Sequence, residues 1–536
     1  MADTESRTPA ATSAPVQIRP RSHGSTPRGL GLVPSSSFTE GRFGRMFRDV
    51  PVYEHDTRQL DALAKSMIAP IDLRDTTPVV AGAVDEDENP VIPAGFTYLG
   101  QFIDHDITFD PASSLQRQND PDALHDFRTP RFDLDSVYGR GPADQPYLYQ
   151  SDGVRMLLGR DVDGGPAGAA NGPDLPRNSL GRALTGDPRN DENLIVSQLQ
   201  SLFLRFHNKL AEQVAAAGLT GADLFKETQR LVRWHYQWVV VHDFLGRVVD
   251  GAGGGATLSH SVVDDVLRTD VYGTSGGDVR RTRARLEFYA PKVDPFMPVE
   301  FSVAAYRFGH SMVRPSYFIN DVVKAARNNA RIPIFSASTG PLDNLNGFRP
   351  LPDRWGIQWK YFYDAGGAGA EPPQRSYKID TQLVNPLGAL PAAPDMPSLA
   401  LRNLIRGARL ALPSGQTVAR AMGITPLTDS QLGIDTVAPD YKGDSPLWHY
   451  ILKEAEVLAE GHHLGPVGGR IVCETLVGLL AGDPLSYLRV EPGWQPELAV
   501  NGQFGMAELV AFTEGSTVAP TGPRAPAMAG SGRDTS

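Results

Sequence analysis

Two adjacent stretches in the middle of the chain repeat an apolar residue at every third or fourth position. In ENLIVSQLQSLFLRFHNKLAEQVAAAG, residues Ile195, Leu199, Leu202, Phe203, Phe206 and Leu210 share one helical face. In LFKETQRLVRWHYQWVVVHDFLGRVV, residues Leu231, Trp234, Trp238 and Leu245 repeat the spacing. Such a period is that of amphipathic helices, and Gly218 between the stretches is a helix stop. Alternating apolar and polar strands are scarce, so the expected fold is mainly α, with long irregular loops where Pro and Gly accumulate. The 536 residues suffice for one large core or for several ordinary domains. No strong linker and no internal repeat divides them. We expect a disordered tail rich in Ser, Thr, Pro and Arg over residues 1–40, a single folded body over 41–515, and a second disordered tail over 516–536.

Composition narrows the function. The chain is 41% hydrophobic and 21% charged, and 51 basic against 62 acidic residues leave a net charge of -11. No basic excess exists to pair with phosphates, which speaks against a nucleic-acid binder. A single cysteine, Cys473, excludes an internal disulfide framework and metal sites built on several cysteines. It sits in GGRIVCETLVGLL at an apolar helical position and reads as core. The N-terminus lacks the apolar stretch of a signal peptide, and no apolar run is long enough to span a bilayer. A cytoplasmic or non-classically exported protein without a membrane span is the expectation.

Five short segments hold residues that could do chemistry. In GQFIDHDITFD, read as a helix, Gln101, Asp104 and His105 lie at i, i+3 and i+4 on one face. Asp106 is rotated about 100° from His105 and must serve a different environment. In LTGDPRNDENL, Arg189, Glu192 and Asn193 repeat the spacing in a helix expected to start near Asp187, with Pro188 in its first turn. Alone, this is an ordinary charged first turn. The apolar run FSVAAYRFGHSMVRP places Arg307 three residues before His310, and Pro315 ends it. LALRNLIRGARLALP sets Asn403 and Arg406 at the same spacing; by itself that is a solvated helix face. In RTPRFDLDSVYG, Thr129, Arg131, Asp133 and Asp135 alternate, and an extended loop would present their oxygens on one side. Hard oxygen ligands in a short loop suit calcium, although the EF-hand pattern fails because Tyr138 stands where its glycine would.

Together these segments resemble the animal-type haem peroxidases of the peroxidase–cyclooxygenase superfamily. The family pattern GQ-x-x-DHD is similar to Gly100–Asp106, GD-x-R-x-x-E to Gly186–Glu192, R-x-GH to Arg307–His310 and N-x-x-RG to Asn403–Gly407. A calcium loop ending in VYG corresponds to Thr129–Gly139, and a helix segment to Leu464–Asp483. The motifs stand in family order across roughly residues 95–490. The resemblance implies a large helical domain holding haem b between a distal and a proximal helix. It makes His310 the ligand of the haem iron, Asn403 the acceptor of its other ring N–H, and Arg307 and Arg406 partners of the propionates. His105 would move the protons of hydrogen peroxide and Arg189 would stabilise the charge of O–O cleavage, with Gln101 beside them. The oxidised haem, Compound I, would then oxidise a halide, thiocyanate or a small organic donor.

Asp104 and Glu192 match the carboxylates that form ester links to haem in the mammalian members. Asn193 stands where a third link is made by methionine, so that link is lost. Asp106, Thr129, Arg131 through its carbonyl, Asp133 and Asp135 would hold Ca2+. The lack of disulfides and of a secretion signal is similar to what a bacterial or divergent member would show.

Cyclooxygenases and fatty-acid α-dioxygenases of the same superfamily carry a radical tyrosine three residues before the proximal histidine. Arg307 occupies that position, and Tyr306 is expected to point elsewhere, which favours a peroxidase over a dioxygenase. A haem-free structural homologue is the non-enzymatic alternative. GTSGG at Gly273–Gly277 fits a serine-hydrolase elbow, and GAGGGA at Gly251 fits a dinucleotide loop. Neither is expected to have the strand–turn–helix context that such motifs need.

Overall fold

The computed structural model describes residues 41–515, apart from residue 54 and residues 72–84, 110–124, 163–171, 252–260, 275–276, 292–293, 337–339, 366–370 and 391–394. The tails expected over 1–40 and 516–536 lie outside the described residues, as do the glycine runs after Asp250 and Ala365.

Helices carry the body. The longer ones are α1 (Thr57–Ser66), α2 (Gly95–Ile107), α3 (Leu194–Ala216), α4 (Gly221–Trp238), α5 (Leu399–Arg409), α6 (Leu447–Ala459), α7 (Pro466–Gly482) and α8 (Met506–Glu514). Asn193 caps α3 by accepting the Ile195 and Val196 N–H groups. Gly218 follows α3 at φ +100°, a left-handed conformation that stops a helix and that side chains resist. α4 runs on through a π-turn (Val239–Phe244) into Leu245–Val248. The wider turn keeps Phe244, Leu245 and Val248 buried.

The centre is where α2, α3 and α4 meet. Phe102 stacks on Phe203 (4.8 Å between rings, 11° between planes), and Tyr236 meets both edge-on. All three side chains are fully buried. Fully burying a side chain of this kind is worth about 1.5–3 kcal/mol, which favours this junction. α6 and α7 complete the core, with Ile451, Leu452, Val472, Cys473 and Leu476 buried. Among the described residues, no helix is long and apolar enough to cross a membrane.

Strands are short and serve as clasps. Gly41–Gly44 pairs antiparallel with His125–Asp126 and parallel with Met297–Pro298. Glu88–Pro93, just before α2, pairs antiparallel with Arg375–Tyr377. The longest strands form a hairpin, Leu267–Thr274 with Gly277–Ala284. Within GTSGG, Gly273 and Thr274 end one strand and Gly277 begins the other, so a strand stands where an elbow requires a helix. Ser275 and Gly276 between them lie outside the described residues.

Candidate functional site

A cavity of about 820 Å3 opens between α2 on one side and the Ala305–His310 turn with α5 on the other. This volume lies within the range of about 300–1,000 Å3 typical of ligand and cofactor pockets. Gln101, Asp104, His105, Arg189, Glu192, Arg307, His310 and Arg406 all line it. Four sequence segments spread over some 300 residues thus converge on one space.

The α2 side is built by helix geometry. Gln101, Asp104 and His105 face the cavity, whereas Asp106 is fully buried on another side. His105 Nδ1 lies 2.7 Å from Asn190 Oδ1, and Asn190 Nδ2 donates to Gln200 Oε1 at 2.8 Å. An amide oxygen only accepts, so Nδ1 carries the proton and Nε2 keeps its lone pair. Nε2 stands 3.9 Å from Glu192 Oε1, inside the cavity wall. Burial, and then the Arg189 charge, push the His105 imidazole down to about 4, so it is neutral at physiological pH. Glu192 moves the other way: burial raises it to about 7, against the pull of Arg189 and with Asp104 adding to the rise. Neither Asn190 nor Gln200 stood out in the sequence, where only Asn190's place beside Arg189 hinted at a role.

Arg189 arises differently from the expected helical turn. Pro188–Asp191 is a 3-10 turn capped by the Asp187 carboxylate, and Asn193 is already extended, at φ -145° and ψ 158°. Arg189 and Glu192 therefore meet the cavity from a tight turn, not from the face of a continuing helix. The Arg189 guanidinium donates to Asp187 (2.8 Å), to His105 O (3.1 Å) and to Thr108 O (2.6 Å), and it lies 4.7 Å above the Phe109 ring. Its remaining Nη1 is 4.0 Å from Asp104. Burial opposes the charge on Asp187, but Arg189 and Arg128 outweigh it and hold the carboxyl at about 2. Arg189 is thus a fixed positive charge rather than a swinging one.

On the other side the expected helical run is a π-turn, Glu300–Ala304, followed by a 3-10 turn, Ala305–His310. Asn403 Nδ2, on α5, lies 2.8 Å from His310 Nδ1. A half-turn of that amide brings Oδ1 to the ring and lets Nδ1–H donate, leaving Nε2 for a ligand. Burial, then Arg307, push the His310 imidazole down to about 3. A metal ligand must be neutral, and this ring is. Arg307 donates to Ser302 O at 2.8 Å. Arg402, one turn before Arg406 on α5, also lines the cavity; the i, i+4 spacing was its available signal. Tyr306, expected to point elsewhere, lines the same cavity, and its hydroxyl donates to Gly100 O at 3.2 Å.

Asp106 meets Asp133 and Asp135, with ligand-capable atoms all within 4.8 Å of one another. Leu134 N–H and Ser136 Oγ donate to Asp106, and Thr129 Oγ1 donates to Asp133 at 2.8 Å. Arg131 pairs through its guanidinium with Asp483 at 4.0 Å. Burial, then the Asp133 and Asp135 charges, push Asp106 well up. Burial likewise raises Asp135 to about 7, although Arg128 lies 3.3 Å away. One buried oxygen, Asp135 Oδ1, has no partner. Three crowded carboxylates and an orphaned oxygen fit a hard cation such as Ca2+. Gly186 binds this loop to the Arg189 turn: a Cβ there would stand 2.2 Å from Asp135 O.

The fold is similar to those of a peroxidase and of a fatty acid dioxygenase of known structure. The solved structure of Peroxidase A from Dictyostelium discoideum aligns with a TM-score of 0.54 at 16% identity, over 88% of this chain and 92% of that one. The fatty acid alpha-dioxygenase of Arabidopsis thaliana aligns with a TM-score of 0.50 at 13% identity, over 87% and 75%. At such identities the likeness is one of fold. Residues 117–349 match the family model for animal haem peroxidase. Thyroid peroxidase of Sus scrofa is 28% identical over 199 residues, which is 34% of this chain and 19% of that protein. Eosinophil peroxidase of Homo sapiens is 27% identical over 157 residues, 29% and 18%. The chain matches under a fifth of the length of these curated relatives. The family match includes Arg189 and His310, whereas Gly100–Asp106 and Asn403–Gly407 fall outside it.

Proposed function

We propose that the chain is a haem-dependent peroxidase that reduces hydrogen peroxide and oxidises a small donor, a halide, thiocyanate or an organic molecule. One observation carries this reading. Two neutral imidazoles, each tied at Nδ1 to an asparagine, line the same cavity from opposite sides.

The residues present fit haem b. His310 would bind the iron through Nε2, oriented by Asn403. Arg307, Arg402 and Arg406 supply positive charge for the propionates, and Phe, Val and Leu side chains line the rest. Bound haem would supply the iron and the redox equivalents for cleaving the O–O bond. His105 Nε2 takes the proton of arriving peroxide and returns one to the departing oxygen, as a neutral imidazole can. Arg189, already fixed by Asp187, adds positive charge without reorganising. Asp104 and Glu192 would be the residues for ester links. Ca2+ between Asp106, Asp133 and Asp135 would pin the helix bearing His105 to the 129–139 loop.

Haem titration into purified protein, followed in the Soret region, and stopped-flow mixing with peroxide test the reading. A Soret band at one haem per chain and a peroxide-driven spectral change are expected, and no Soret change would refute it. A second reading rests on Tyr306, whose ring lines the cavity as an oxidisable side chain near both histidine-bearing elements. Oxygen uptake with a fatty acid and no peroxide, lost in Tyr306→Phe, would establish the dioxygenase instead.

A further inference from the structure

Asn193 makes two kinds of bond that fix which way round its amide stands. Its oxygen accepts the Ile195 N–H at 3.1 Å and the Val196 N–H at 2.9 Å, capping α3. Only an oxygen can accept, so Nδ2 is the atom left to face α2, and it donates to Gln101 Oε1 at 3.1 Å. Gln101 is in turn oriented: its Nε2 donates to Glu192 Oε1. The second N–H of Gln101 meets no acceptor among the described residues, and Gln101 lines the cavity. The chain ends beside the base, with Glu192 Oε1 3.9 Å from His105 Nε2. A lone glutamine amide rotates by half a turn at little cost. This one would then set oxygen against the Glu192 oxygen and N–H against N–H of Asn193.

Resting on the haem-peroxidase reading, we infer that Asn193 is a positioning residue that sets the polarity of the cavity at Gln101. Through it the cavity is offered an amide N–H and not an amide oxygen, so a ligand that accepts a hydrogen bond is favoured there. Asn193 itself borders the cavity, but in this role it acts through Gln101, using the helix backbone as the fixed reference.

Two substitutions separate this role from the cap. Asn193→Asp and Asn193→Ser both keep a capping oxygen, which serves α3 about as well as asparagine. Neither can extend an amide N–H to Gln101. In the ferric, haem-loaded protein, fluoride titration by absorbance is expected to show affinity weakened about tenfold or more in both variants, the loss of one oriented donor to an anion. Melting temperatures should stay unchanged. Weakening in the aspartate variant alone would be a charge effect and would overturn the inference, as would unchanged affinity in both. Crystal structures of the haem-free variants decide the point independently of haem. The Gln101 amide is expected to turn or to leave Glu192, and an intact Gln101 Nε2–Glu192 pair in both variants would overturn the inference. A wild-type protein without a Soret band would instead remove the peroxidase reading and leave the crystallographic result standing.

Discussion

At the scale of single residues the cavity depends on two histidines whose partners lie far off in the chain: Asn190 is 85 positions from His105, and Asn403 is 93 from His310. The proposed roles make opposite demands, and truncation separates them. His310→Ala is expected to abolish the Soret band in a haem titration or to let haem pass readily to an apo-globin acceptor. His105→Ala should bind haem as the parent does, while its reaction with peroxide slows by roughly 10²–10⁴, the usual worth of a positioned acid–base group. Equal peroxide rates in the stopped flow would remove His105 from the mechanism. Both histidines were legible in the sequence because each sits in a short motif. Asn403, the partner of His310, was legible through its own motif; Asn190, the partner of His105, was not, since a hydrogen bond across 85 residues leaves no local spacing to read.

Among the elements, α2 has the most divided role. Successive side chains on a helix point about 100° apart, so Asp104 and His105 reach the cavity while Asp106 reaches the loop that carries Asp133 and Asp135. That separation followed from helical geometry alone. The companion segments did not wind as expected: Pro188–Asp191 and Ala305–His310 are 3-10 turns, and Glu300–Ala304 is a π-turn. Spacing by three or four is shared by all these windings, so sequence could not choose among them. The carboxylate cluster yields a pH dependence. With no cation, the unfolded carboxyls ionise near 3.8 while burial holds Asp135 protonated to about 7 and raises Asp106 well above its ordinary value. Between about pH 4 and 7 the folded state therefore binds more protons than the unfolded one, and stability falls as pH rises. A bound Ca2+ removes that penalty. In thermal melts, the gain in melting temperature from calcium over chelator should grow from pH 5 to pH 7.5 and shrink in Asp106→Asn. A calcium effect absent at pH 7.5 would exclude the site.

At the scale of the whole molecule, the cavity is held open by packing that does not touch it. Phe102→Ala would empty the junction of α2, α3 and α4 and is expected to cost about 3–5 kcal/mol, read as a lower denaturant midpoint with unchanged slope. Because α2 also presents His105, that variant should bind haem more weakly although Phe102 lies outside the cavity wall. The mainly helical architecture, the two long central helices with their break at Gly218 and the burial of Cys473 were all readable from the chain. Each is a local matter of periodicity or backbone conformation, repeated over enough residues to outvote exceptions. The order of the motifs also pointed to the peroxidase fold and to the residues that would meet. Tertiary structure alone decided how they meet: Arg189 clamped by Asp187, Tyr306 turned into the cavity, and an asparagine cap fixing the direction of Gln101. Those outcomes depend on which distant atom can donate and which can accept, and direction of that kind is settled only when the chain has closed on itself.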